Sequence, residues 1–218
     1  MFLRCGGRFV AGVVIAAVVF AGCRESAEDR RATIYELKRN PDPDNIELIR
    51  GFLDDDDRDI RAMALFALFD LGTDDALEVA RAGVDDPDGY VRSVAATVLG
   101  EIEDPSMVPV LTTLLLEDED PKVRRAAALS LGAIGGPDAV VALSQALVDP
   151  MKEVRFPAAK GVADLDPLSS VETLSVMVID DPDWEIRAQA ARALGRTGLP
   201  ELIPVLERAE NDPNEFVR

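Results

Sequence analysis

The feature that most limits how this chain can fold is a recurrence. An apolar residue followed by arginine, just after an acidic turn, occurs at Ile60-Arg61, Val91-Arg92, Val123-Arg124, Val154-Arg155, Ile186-Arg187 and Val217-Arg218. Successive pairs lie 31, 32, 31, 32 and 31 residues apart. Self-similarity at such a period, kept in register over six occurrences, marks a stacked repeat rather than a closed globule.

Each period parses into two helices. The second begins at an Asp-Pro step in Asp86-Pro87, Asp120-Pro121, Asp149-Pro150, Asp181-Pro182 and Asp212-Pro213, read as an N-cap aspartate with proline at the first helical position. Apolar residues then recur at helical spacing, as in Ile186, Ala190, Ala193 and Leu194, and Gly195 is expected to end the helix, as is Gly100 in an earlier unit. First helices are expected over 76–84, 107–116, 139–148, 168–179 and 202–209, with a short amphipathic capping helix over 27–39. A helix pair of this size cannot bury its apolar face alone, so neighbours must stack and share one core. The chain is 48% hydrophobic but only 5% aromatic, which suits close helix packing through alanine and leucine. The expected fold is an all-α, right-handed α-solenoid of about five to six repeats over residues 43–218.

The amino terminus poses a separate question. Arg4 and Arg8 precede a charge-free apolar run over residues 9–22, the pattern of an n-region and h-region. The run is shorter than the ~20 residues of a membrane-spanning helix. It ends in "FAGC", Phe20 to Cys23, which resembles the lipobox of bacterial lipoproteins. That resemblance implies cleavage after Gly22, acylation of Cys23 and a tether over residues 23–42; the alternative is an ordinary secretory signal with an incidental cysteine. Arg24, rather than Asp, follows the cysteine, which in a Gram-negative lipoprotein implies delivery to the outer membrane.

Cleavage would remove two arginines and no acid, taking the formal charge from −18 to −20. Such a chain repels nucleic acid over most of its surface. Cys5 would leave with the signal and Cys23 would be acylated, so no intramolecular disulfide remains.

The repeat itself resembles the short HEAT repeats of the phycobilisome-lyase-like type, with their pattern D-x-x-x-V-R-x-x-A-A-x-A-L-G. In that family the second helices line the concave face, and turn aspartates and helix arginines form a ladder. The resemblance therefore implies structural roles for Asp86, Asp120, Asp149 and Asp181 and for Arg92, Arg124, Arg155 and Arg187. One unit departs from the pattern: "EVRFPAAKGVADLDP", Glu153 to Pro167, has Pro157 within its second helix and lacks the Leu-Gly ending. Proline there removes a backbone hydrogen bond, giving either an ordinary kinked repeat or a hinge.

Histidine is absent, which removes Ser-His-Asp and Cys-His nucleophile systems, imidazole bases and His-ligated metals together. Deoxyhypusine hydroxylase resembles this chain in repeat pattern, but its di-iron site relies on His-Glu pairs. Phycobilin lyases share the repeat type and act in the cytosol, whereas this chain carries an export signal. An enzyme or enzyme subunit of either lineage is the alternative to a non-catalytic scaffold. The acidic runs "LDDDDRD", Leu53 to Asp59, and "EDEDP", Glu117 to Pro121, lack the order of a calcium loop. No cofactor or metal is expected.

The remaining surface for function is the concave face. Windows 58–70, 89–101, 121–133, 152–164 and 184–196, which contain the second helices, hold 12 basic and 6 acidic residues, so charge is partitioned by face; without the five ladder arginines the balance is 7 against 6, which is neutral on an acidic protein. Residues expected to point outward there are Tyr90, Arg125, Phe156, Lys160, Trp184, Arg192 and Arg196. Exposed aromatic and arginine groups are enriched at binding hot spots, although Phe156 and Trp184 could instead pack between units. The expectation is a membrane-anchored scaffold that binds a protein partner through its concave face.

Overall fold

The computed structural model describes residues 26–218; the expected signal segment and the expected acylation site, Cys23, lie outside them. Twelve α-helices follow one another, with no strand among the described residues. They are α1 (Ala27–Arg39), α2 (Pro43–Arg50), α3 (Arg58–Asp70), α4 (Ala76–Gly83), α5 (Gly89–Ile102), α6 (Val108–Glu117), α7 (Pro121–Ile134), α8 (Pro137–Ala146), α9 (Lys152–Leu165), α10 (Val171–Asp180), α11 (Trp184–Thr197) and α12 (Ile203–Ala209). From α2 onward, first and second helices alternate, and each pair packs on the next to form an α-solenoid.

The core is continuous along the stack. Ile60, Val91, Val123, Val154 and Ile186, the apolar partners of the recurring arginines, are all buried, each one turn into its second helix. A smaller cluster of Ile34, Leu37, Ile49, Ile60 and Leu68 holds α1 and α2 against α3, and Leu53 and Val79 pack against both this cluster and the main core.

Second helices approach one another more closely than first helices do, and small residues explain why. A Cβ on Gly100 would lie 2.4 Å from Ser130 Oγ of the next second helix, and one on Gly132 would meet the Gly161 backbone at 3.7 Å. Ser130 in turn donates to the Ala96 carbonyl at 2.8 Å. Tighter spacing along one row than along the other bends the stack, so α3, α5, α7, α9 and α11 form its inner, concave face.

Gly100 and Gly195 therefore do not end their helices, contrary to the sequence expectation. Helix α5 runs on to Ile102 and turns at Glu103 (φ 56°), and α11 runs on to Thr197 and turns at Gly198 (φ 66°). Gly100 is instead a point of close helix contact. Pro157 sits inside α9, which continues unbroken around it with the proline ring buried.

Candidate functional site: a rung edge and an inner face

Two surfaces of the second helices differ in kind. The first is the edge where each second helix begins. There Arg61 Nε meets Asp86 at 2.7 Å, Arg92 meets Asp118 at 2.7 Å, Arg124 meets Asp149 at 2.8 Å, Arg155 meets Asp181 at 2.8 Å and Arg187 meets Asp212 at 2.7 Å. Each arginine reaches the aspartate of the following unit, and its Nη2 completes a fork on the same carboxylate. Its Nη1 donates to the carbonyl six residues earlier, at 2.8–3.0 Å, which ties down the turn of its own unit. A planar guanidinium can satisfy both partners at once; an ammonium cannot.

The carboxylates are equally occupied. The Asp86, Asp118, Asp149, Asp181 and Asp212 side chains each accept the backbone N–H two residues on, at 2.8–2.9 Å. Burial opposes ionisation of Asp86 and Asp118 and is the largest single influence on each. Hydrogen bonds from the arginine and the backbone nevertheless combine to hold both below the usual carboxylate range. At Asp212 the hydrogen bond from Arg187 is itself the largest influence, and the shift is again downward.

This arrangement corrects the sequence reading of the turns. The N-cap residues are Asp88, Met151 and Asp183, two residues after Asp86, Asp149 and Asp181, while Asn214 rather than Asp212 caps the Phe216 N–H. Pro87, Pro150, Pro182 and Pro213 thus lie in the turn between rung and cap. The third unit is shifted: Asp120, with Pro121 behind it, is a true N-cap, and Asp118 takes the rung. Rung aspartates therefore recur at 86, 118, 149, 181 and 212, in step with the arginines.

A sixth rung was missed. Arg30 Nε lies 2.9 Å from Asp55, and Arg30 stands 31 residues before Arg61. Helix α1 is therefore in register as a second helix whose Ser26 and Asp29 form a capping box, and the repeat packing extends back to it. Asp29 replaces the usual apolar residue before the arginine, which hid the match; the spacing alone would have found it.

The second surface is the inner face. Five residues after each rung arginine stand Phe66, Thr97, Leu129, Lys160 and Arg192, all exposed. Of the residues expected on this face, Arg125 and Arg192 are exposed and make no ion pair among the described residues. Lys160 and Arg196 converge on Asp164, at 2.9 and 2.8 Å, and hold that carboxyl below its ordinary range. Tyr90 lies beneath the Arg58 guanidinium, 5.9 Å from the ring centre. Trp184 stacks on Phe216 with centroids 5.2 Å apart, and Phe156 is 42% exposed. Met63, Phe66 and Leu129 are exposed on the same face and were not singled out from sequence; counting from the rung arginine identifies the last two. The face grades from apolar near α3 to basic near α11.

A stack of helix pairs joined by inter-unit arginine–aspartate rungs defines an α-solenoid protein. The family model for HEAT repeats matches residues 18–96, 80–150 and 140–218, and the chain belongs to the HEAT-repeat family. Among solved structures it is similar to the complex of CpcE and CpcF of phycocyanin lyase from Nostoc, with 25% identity and a TM-score of 0.56 over 70% of this chain and 99% of that one. It is also similar to YibA of E. coli, with 23% identity and a TM-score of 0.63 over 90% and 74%. Kap95p, solved with RanGDP, matches with 15% identity and a TM-score of 0.59 over 88% and 32%. No curated protein matches the sequence.

Proposed function

We propose that this chain is a non-catalytic scaffold, lipid-anchored in a bacterial envelope, that holds a protein partner against its inner face. The observation that carries the reading is the contrast between constant rungs and the variable positions five residues beyond them. Constancy at the rungs is what stacking requires; packing imposes no such demand on Phe66, Thr97, Leu129, Lys160 and Arg192. Unpaired arginines are a second support, because a chain with 41 acids and 23 bases has carboxylates to spare for them. Exposed arginines and aromatics are effective anchors once desolvated by a partner. HEAT-type solenoids do assemble with proteins, as Kap95p does with RanGDP.

The anchor rests on Phe20 to Cys23 and on the apolar run before it. Acylation with two or more chains would hold the protein stably on a membrane, on the periplasmic side of the outer membrane in a Gram-negative cell. No helix among the described residues is long and apolar enough to cross a membrane. Cys23→Ser is expected to move the protein from the membrane pellet to the soluble fraction; retention in the pellet would contradict the anchor.

The partner-binding reading is tested by affinity capture from the native envelope, comparing the acylated protein with a Trp184→Glu/Arg192→Glu/Arg196→Glu variant. One partner enriched by the first and lost by the second supports it, and identical captures count against it. A second reading, an enzyme subunit, is favoured by the likeness to the phycocyanin lyase complex. A tetrapyrrole absorption band or bound iron in the purified protein would select that reading.

A further inference from the structure

The inner face contains a concavity that the described residues do not fill. Ala128, Leu129, Gly132 and Ala133 of α7 and Pro157, Lys160, Gly161 and Asp164 of α9 surround a depression of about 200 Å³. Its origin is local: Gly132 and Gly161 face each other across the two helices and carry no side chain, so none rises between them. Leu129 and the Lys160–Asp164 pair stand as walls on either side. An apolar cavity of ~150 Å³ already binds a benzene-sized group, so this one has room for a single aliphatic side chain.

Charge around it is biased. Arg125 lies one turn before Leu129 on α7, and Arg192 occupies the position equivalent to Lys160 on the next second helix. Of Arg125, Lys160, Arg192 and Arg196, Lys160 and Arg196 pair with Asp164, and Arg125 and Arg192 make no ion pair among the described residues. On a protein of formal charge −18, a local excess of cations beside a hollow lined by alanine, glycine, proline and leucine as well as by Lys160 and Asp164 selects against basic partners and steers acidic ones.

We infer that this cavity receives one aliphatic side chain of an acidic peptide segment in the partner, with flanking carboxylates on Arg125 and Arg192. The inference rests on the proposed role of the inner face and specifies the chemistry of what binds there. A polyanion without an apolar side chain would satisfy the arginines but leave the hollow empty, and a basic segment would satisfy neither.

The test is fluorescence anisotropy with the full acylated protein in detergent and three labelled heptapeptides. One has a central leucine between Glu-Asp-Glu triplets, one has serine in its place, and one has the leucine between lysines. The acidic leucine peptide should bind saturably, the serine peptide about tenfold or more weakly, and the lysine peptide not at all. Ala133→Trp, an exposed rim position, should abolish the advantage of leucine over serine. Arg125→Glu/Arg192→Glu should weaken both acidic peptides at least about tenfold, with helical content and melting temperature unchanged.

Any of three results overturns the inference: no saturable binding of the acidic leucine peptide below about 1 mM, a weak affinity by any standard; equal binding of the lysine peptide; or no effect of Ala133→Trp. If one of these occurs while capture still depends on Trp184, Arg192 and Arg196, the cavity assignment fails and the broader role of the face survives.

Discussion

Along the rung edge, Arg61, Arg92, Arg124, Arg155 and Arg187 meet an aspartate of the next unit with nearly the same geometry each time. Five residues further along the same helices, the inner face presents phenylalanine, threonine, leucine, lysine and arginine in turn. The edge is repeated because each unit must find its neighbour in register, and a bidentate ion pair anchored to backbone carbonyls fixes that register. These five positions are free to differ because, among the described residues, none of them makes an ion pair or hydrogen bond to a neighbouring unit. Stability should therefore be concentrated at the edge and partner recognition at the face, and substitutions can separate the two.

The largest effect is expected at Arg155, the most buried rung arginine, which meets both Asp181 and Asp183. Arg155→Ala leaves buried Asp181 without its cation and Asp183 with Lys152 alone, 3.7 Å away, and removing one partner of a buried pair costs about 3–5 kcal/mol. Urea denaturation followed by circular dichroism should show a loss of that order, and Arg155→Lys should recover little of it, because lysine lacks the fork. A loss below about 1 kcal/mol would mean that the rungs only decorate the stack.

A smaller contrast is expected between two glycines of the inner row. Gly100→Ala drives a methyl against Ser130, including its Cα at 2.8 Å, and overpacking of this kind costs about 2 kcal/mol. Gly132→Ala meets only ordinary contact at 3.7 Å and gains up to about 1 kcal/mol in helix propensity. Opposite shifts in melting temperature would confirm that the first glycine sets helix approach and the second does not.

Acid should act through the rungs as well. Asp86, Asp118 and Asp212 are held below their unfolded range, so their contribution is fully present above about pH 4, near the unfolded aspartate value, and is lost as pH falls through the lower folded values. The denaturation midpoint should stay level from neutral pH down to about pH 5 and then drop. Relief of self-repulsion acts in the opposite sense, but exposed charges are screened beyond about 8 Å at physiological salt. A midpoint that rises below pH 4 would show that repulsion outweighs the rungs.

The smallest effect on stability, and the largest on binding, belongs to the face. Arg192→Ala should change stability by less than about 0.5 kcal/mol, as surface substitutions do, yet weaken partner capture.

How much of this was legible in the sequence follows from the range of the interactions. Periodicity exposed the solenoid, because a 31-residue recurrence of Val/Ile-Arg is written along the chain. The identity of the rung acid was not, because "EDEDP" holds Asp118 and Asp120 two residues apart and the partner that distinguishes them, Arg92, lies in another unit. A following proline drew attention to Asp120, the local cap. Gly100 misled for a similar reason: a glycine near a helix end reads as a terminator, whereas its neighbour Ser130 lies thirty residues further on. The positions of Tyr90, Trp184 and Arg196 could be placed on the correct helices, but their contacts with Arg58, Phe216 and Asp164 cross between units.

The central claim is that the inner face, not the outer one, touches the partner. Its most direct test places a photo-crosslinking amino acid at Leu129 or at Val141, an exposed residue of the first helix α8, and irradiates the native envelope. Crosslinks to one protein from position 129 and none from position 141 are predicted. Crosslinks from position 141 alone would contradict the assignment and move the working surface to the outer row of helices.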